Sequence, residues 1–156
     1  MEKKFELTDN FIINAFGVKL FQIKCTKSFK YAKEGDLGGY VEKDENLDQE
    51  SDAWVSGNAE VSGNAEVYGN ARVSGDAEID NNNKHCGFDC FGSANRHTHA
   101  YLTKENKVEI TCGCFRGSIE EFEKRVEETH SGTIYEKQYK AIIDVIKIKF
   151  GLTDLI

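Results

Sequence analysis

Between Asp52 and Asp80 the chain reads DAWVSGNAEVSGNAEVYGNARVSGDAEID, one six-residue phrase repeated five times. Aliphatic residues stand at Val55, Val61, Val67, Val73 and Ile79, with Ala53, Ala59, Ala65, Ala71 and Ala77 two places before each. On an extended backbone residues two apart point to the same side, so both sets share one face. Gly57, Gly63, Gly69 and Gly75 come next, followed by Asn58, Asn64, Asn70 and Asp76, a pairing that tolerates positive φ at a tight corner. Each phrase therefore predicts one short strand and one turn. A period of six is too short for helix-pair repeats and matches three-sided coils of about eighteen residues. Asn46-Leu47 and Tyr40-Val41 continue the Asn-Ala register backwards, so seven phrases are expected from Tyr40 to Asn81.

In such a stack, residues eighteen apart share an outer face. Trp54 then lies beside Arg72, which allows a guanidinium on an indole. Glu42, Glu60 and Glu78 form an acidic ladder, to be read as a solvated face or as a cation site; Asp48, Glu50, Glu66 and Tyr68 make the third face. Trp54 and Tyr68 are candidates for a subunit contact.

The flanks carry other patterns. Phe11 to Cys25 alternates around Gly17 and predicts a β-hairpin. Ser28 to Gly39 brings aromatic residues and glycines, and is expected to cap the open end of the stack. IDNNNKH breaks the repeat. Beyond it, Thr98 to Thr103 and Lys107 to Phe115 predict two strands joined at Lys104-Glu105-Asn106. Ser118 with Glu121 has capping-box spacing, and Ile119, Phe122 and Val126 give a helical stripe that Gly132 ends. Tyr135, Tyr139, Ile142, Ile143, Ile146 and Phe150 mark a second helix, which Gly151 stops. The expected fold class is mainly β plus α+β: a hairpin and cap over 1–39, the repeats over 40–81 and a ββαα unit over 82–156.

Composition narrows the function. A chain of 156 residues with net charge −7 and no basic stripe does not suit a nucleic-acid duplex as partner. No apolar run approaches membrane-spanning length, and MEKKFELTDN lacks a signal-peptide core, so a cytoplasmic location with no membrane partner is expected. Five cysteines in that compartment read as free thiols or metal ligands.

The chemistry-bearing residues cluster in the last unit. His85, Cys86, Cys90, Cys112 and Cys114, with His97, His99 and His130, offer thiolates and imidazoles that suit zinc, although neither cysteine spacing is that of a knuckle; buried thiols in strands are the other reading. The turn CGCFRGS puts Gly113, Arg116, Gly117 and Ser118 before a helix start, an arrangement for phosphate or carboxylate, and Ser93, Arg96, His97, Thr98 and His99 supply a second wall. An ordinary capped helix with a solvated arginine is the alternative. Neither GxGxxG nor a Walker loop is present. A Cys/His nucleophile using Cys112 or Cys114 with His97 or His130 lacks a third group.

The A-x-V phrases resemble the hexapeptide-repeat proteins, whose fold is a left-handed parallel β-helix. The resemblance implies side-by-side trimers and, for many members, acyl transfer. This chain departs from that activity, with no histidine from Met1 to Lys84 and no insertion between its coils. With Gly35-Asp36-Leu37-Gly38-Gly39 and Cys112 to Phe122 added, the chain is similar to small phage-borne proteins of mostly unassigned function. That likeness implies a host-cytoplasmic homo-oligomer that sequesters a small phosphate-bearing ligand, such as a nucleotide immune signal, without turnover. A module that blocks a host defence enzyme and a Cys/His hydrolase or transferase are the alternatives.

Overall fold

The computed structural model describes residues 2–152; the outermost bounds of the expected units, 1 and 153–156, lie outside the described residues. The chain opens with an antiparallel hairpin of β1 (Phe5–Ile13) and β2 (Lys19–Cys25). Its turn centres on the expected glycine: the Asn14 side chain accepts from the amides of Phe16 and Val18, and Gly17 has φ 80°. The first strand begins at Phe5 rather than Phe11, because Phe5 is buried in the core of the repeats. β3 (Leu37–Val41) pairs antiparallel with β2 and parallel with β5 (Glu60–Val61), and β5 pairs parallel with β7 (Glu78–Ile79). The result is a mixed five-stranded sheet of order β1-β2-β3-β5-β7; β4 (Trp54–Val55) and β6 (Arg72–Val73) form a separate parallel pair.

This architecture corrects the expected left-handed parallel β-helix. The phrases contribute strands of only two residues, divided between a mixed sheet begun by an antiparallel hairpin and a small parallel pair. Residues eighteen apart do pair, Trp54 with Arg72 and Glu60 with Glu78, but Val41 pairs with Val61 and Leu47 with Val67, twenty apart. Val41 and Leu47 thus occupy valine positions, two places from the alanine register expected for them. The two added residues fall between Leu47 and Val55, eight apart where their partners Val67 and Val73 are six apart; just before them lies a 3₁₀ turn at Asp44–Asn46. Asn46 is fully buried there and donates its amide to the carbonyls of Gly63 and Ala65 at 3.2 and 2.9 Å, so a polar residue sits inside at no cost in unpaired groups.

The valines and alanines of the repeats form one core with Phe5, Ile23 and Leu47, and Tyr101 enters it from the C-terminal sheet. The segment expected as an end cap instead lies against the Trp54 face. Phe29 packs edge-on against Trp54 with ring centroids 5.3 Å apart, so the indole is buried within the chain and is withdrawn from any subunit contact; Tyr68 is exposed. The Arg72 guanidinium lies over Tyr31, 4.6 Å from its centroid, where the indole was expected. Of the acidic ladder, Glu60 is no solvated residue: it is buried and paired with Lys104.

The C-terminal unit has four strands before its helices, not two. β8 (His85–Phe91), β9 (Arg96–Leu102), β10 (Val108–Cys112) and β11 (Phe115–Ser118) form an antiparallel sheet of order β11-β10-β9-β8. The asparagine run before β8 is a 3₁₀ turn, Asn82–Lys84, whose start is capped by Asn81. The single strand expected over Lys107 to Phe115 is two, β10 and the start of β11, because Gly113, at φ 59°, reverses the chain between them. α1 (Ile119–His130) has the expected capping box between Ser118 and Glu121, and α2 (Ile134–Lys149) follows Gly132. Phe122, Val126, Ile142, Ile143 and Ile146 cover Ala100, Val108 and Ile110 of the sheet as a second core. The class is mainly β with two C-terminal helices, and among the described residues no helix is long and apolar enough to cross a membrane.

The repeat corners differ in what surrounds them. Gly63 and Gly69 have φ of 59° and 68°, but a Cβ on Gly63 would meet the Asp80 carbonyl oxygen, whereas one on Gly69 would meet nothing within 4 Å. Gly69→Ala is expected to cost about 1–2 kcal/mol of left-handed backbone strain. Gly63→Ala should cost clearly more, and urea unfolding of the two variants checks the order.

Candidate functional site

Three parts of the chain meet at Arg72. Its carbonyl accepts from the Thr111 hydroxyl at 2.8 Å, its guanidinium donates to the Gly113 carbonyl at 2.5 Å, and the same group lies over the Tyr31 ring. A cleft of about 480 Å³ opens beside it, lined by Lys30 and Tyr31 of the β2–β3 loop, Asn70 and Arg72 of the repeats, and Arg96, His97 and Gly113 of the C-terminal sheet. Gly113, at φ 59°, favours this geometry, because a Cβ there would displace the Arg96 guanidinium. Among the described residues no Asp or Glu lines the cleft. Among the described residues Lys30, Arg72 and Arg96 form no ion pair. Three uncompensated cations in one concavity, on a chain of net charge −7, concentrate positive potential where the rest of the surface has little.

Behind His97 runs a chain of imidazoles. His97 Nδ1 lies 2.6 Å from Asp89 Oδ1, His97 Nε2 lies 2.9 Å from His99 Nδ1, His99 Nε2 lies 2.9 Å from His85 Nδ1, and His85 Nε2 lies 3.0 Å from Asn82 Oδ1. Alternation places His97 and His99 two apart on β9, hence on one face, and β8 sets His85 on the neighbouring strand. Gly87 leaves the space: a Cβ there would strike the rings of His97 and His99. A second cavity of about 240 Å³ is lined by these three histidines with Asp89 and Tyr68. Burial, with Lys149 adding a smaller effect, pushes His85 down to about 4, and burial first and the neighbouring imidazoles second push His99 well below its ordinary value. The hydrogen bond and charge of His97, with the Asn70 amide, hold the Asp89 carboxyl below its usual range against the opposing effect of desolvation.

The expected site residues divide into groups. Arg96, His97 and Gly113 line the cleft, and His99 stands behind them in the imidazole chain. Ser93 lines a smaller cavity of about 180 Å³ that shares Arg96 with the cleft. Thr98 is buried and donates to the Cys112 sulfur at 3.3 Å. Arg116 lies in mid-strand opposite Thr111 and approaches Glu109, whose other oxygen accepts from Tyr101. Gly117 belongs to the same strand, packed against Phe115 and Glu121, and Ser118 spends its hydroxyl and amide on Glu121. The helix start is thus closed by its own capping box. The wall of Arg116, Gly117 and Ser118 is not at the cleft, because the CGCF turn joins two strands and delays the helix.

Lys30, Tyr31, Asn70, Arg72 and Thr111 complete the cleft and were not singled out as ligand-binding in the sequence. One signal was available: the middle position of the A-x-V phrases holds Trp54, Glu60, Glu66, Arg72 and Glu78, and Arg72 alone is basic. The cysteines do not assemble. Cys90 and Cys114 are exposed, Cys86 is half-buried with its thiol pushed up by burial, and Cys112 is buried. Among the described residues no three of His, Cys, Asp or Glu are placed to hold a metal ion. The imidazole nitrogens face one another instead of a common point.

No protein-family model matches the chain, and no curated protein does. With the fold, this overturns the resemblance to hexapeptide-repeat proteins: a buried face and a glycine corner suffice to dictate the A-x-V phrases.

Burial of neutral imidazoles has a stability consequence. The unfolded chain protonates His85 near 6.5, whereas the fold resists until about 4, so stability is lost as pH falls between these values. Urea unfolding is expected to show a loss of about 2 kcal/mol from His85 alone between pH 7 and pH 5, and His85→Gln should flatten that dependence.

Proposed function

We propose that the chain binds and retains a small phosphate-bearing ligand in the cleft beside Arg72. The convergence of Lys30, Arg72 and Arg96 without a carboxylate partner carries this reading. Arg72 is already held by Tyr31 and the Gly113 carbonyl, so little side-chain freedom is lost when an anion arrives. Guanidinium groups present planar forks that match phosphate oxygens, and Lys30 adds a mobile point charge from the loop. The Asn70 amide supplies a neutral donor at the same wall. The volume of about 480 Å³ falls in the range of small-molecule sites.

The same contacts support retention without turnover. Both ring nitrogens of His97 are occupied by Asp89 and His99, so neither is free to move a proton at a bound ligand. Cys114 lines the cleft, and among the described residues its sulfur is in no hydrogen bond with a histidine.

Calorimetry with inorganic pyrophosphate and with ADP tests the proposal. Arg96→Ala is expected to weaken binding about ten-fold to a hundred-fold, the effect of losing one charge-assisted contact. Arg116→Ala should leave affinity unchanged, because Arg116 faces Glu109 outside the cleft. Absence of binding by both probes, or full affinity in Arg96→Ala, would overturn the reading.

A further inference from the structure

The imidazole chain ends on an acceptor at each side. At one end is the Asp89 carboxylate, 2.6 Å from His97. At the other is the side-chain oxygen of Asn82, 3.0 Å from His85; its identity as oxygen is set by the Glu66 amide, which donates to the same atom at 3.0 Å. Four short contacts therefore link two acceptors through three rings, and each contact needs one hydrogen. Three neutral imidazoles carry three N–H groups. A neutral chain must leave one contact with two lone pairs facing each other, in a space from which His85 and His99 are almost excluded from water.

We propose that His85, His99 and His97 bind one further proton as a unit, so that the chain is a one-proton site with a net positive charge. With His97 protonated on both nitrogens, its Nε2–H donates to His99 Nδ1, His99 Nε2–H to His85 Nδ1, and His85 Nε2–H to Asn82; all four contacts are then satisfied. The charged surroundings place the charge at that end. Asp89 on β8 touches His97, Asn70 of the repeats donates to Asp89 at 3.4 Å, and Arg96 precedes His97 on β9 facing the cleft. Lys149 of α2 acts on His85 from the opposite end, repelling a charge there. Cys86 and Tyr68, the remaining titratable neighbours lining the cavity, contribute no opposite charge; burial raises the Cys86 thiol and keeps it neutral. Asp89 and Lys149 therefore polarise the three rings in the same direction.

His97 lines both the cavity holding the chain and the larger cleft, so the bound proton adds a positive charge to the cleft floor. Raising the pH removes that charge in one step and leaves one of the four contacts without a hydrogen. This inference stands whether or not the cleft binds phosphate.

Long-range proton–nitrogen NMR of the uniformly ¹⁵N-labelled full chain tests it without any ligand. At pH 6.5 His97 is expected to show two protonated ring nitrogens while His99 and His85 are both Nε2–H tautomers. Titration to higher pH should show a single proton lost, with all three rings changing at one midpoint. Asp89→Asn, at a largely exposed side chain, should lower that midpoint by about 1 pH unit or more. Three neutral rings at pH 6.5, separate midpoints for the three residues, or an unchanged midpoint in Asp89→Asn would overturn the inference.

Discussion

The joint at Arg72 holds the molecule's parts in relation to one another. One residue pairs with Trp54 within the repeats, lies over Tyr31 of the loop, donates to the Gly113 turn and accepts from Thr111 through its carbonyl. The half-buried guanidinium spends one donor on the Gly113 carbonyl, which ties the repeats to the C-terminal sheet, and its remaining donors face an open cleft. The C-terminal sheet is further seated by Tyr101, whose ring completes the core of the repeats while its hydroxyl reaches Glu109 at 2.7 Å. The cleft is thus bounded by the same contacts that join the parts, and its cations are kept separate from carboxylates by that joinery.

Much of the secondary structure was legible from local pattern. The two helices, their caps, the first hairpin and the corner glycines all depend on residues close in sequence, where spacing and backbone preference act directly. The larger architecture was not, because a two-residue strand has no preference for one kind of sheet over another; its neighbours decide. Phe5 shows this well: the alternation of Phe5 and Leu7 with polar residues is brief, and its place is fixed by the core on which it closes. Likewise Gly113 is a hairpin corner because β11 pairs with β10, which the adjacent helix signal at Ser118 concealed.

The site was half legible for the same reason. Arg96, His97 and Gly113 share a short stretch of sheet and were grouped from sequence, whereas Lys30, Asn70 and Arg72 reach the cleft only through packing between distant segments. Arg116 looked equivalent to Arg96 by composition and differs from it by a partner, Glu109, that no local pattern assigns. The imidazole chain was hidden in an apparent metal-ligand set: the residue types were noticed, but whether nitrogens converge on a point or follow one another in a line depends on strand register.

The pairing interval of the repeats also restricts how this gene can change length. Trp54 meets Arg72 and Glu60 meets Glu78 across eighteen residues, three phrases. Inserting three phrases would preserve that interval for the residues that follow. Loss of a single phrase between Gly57 and Asn70 would carry Arg72 to another side and leave Tyr31 and Gly113 facing the wrong residue.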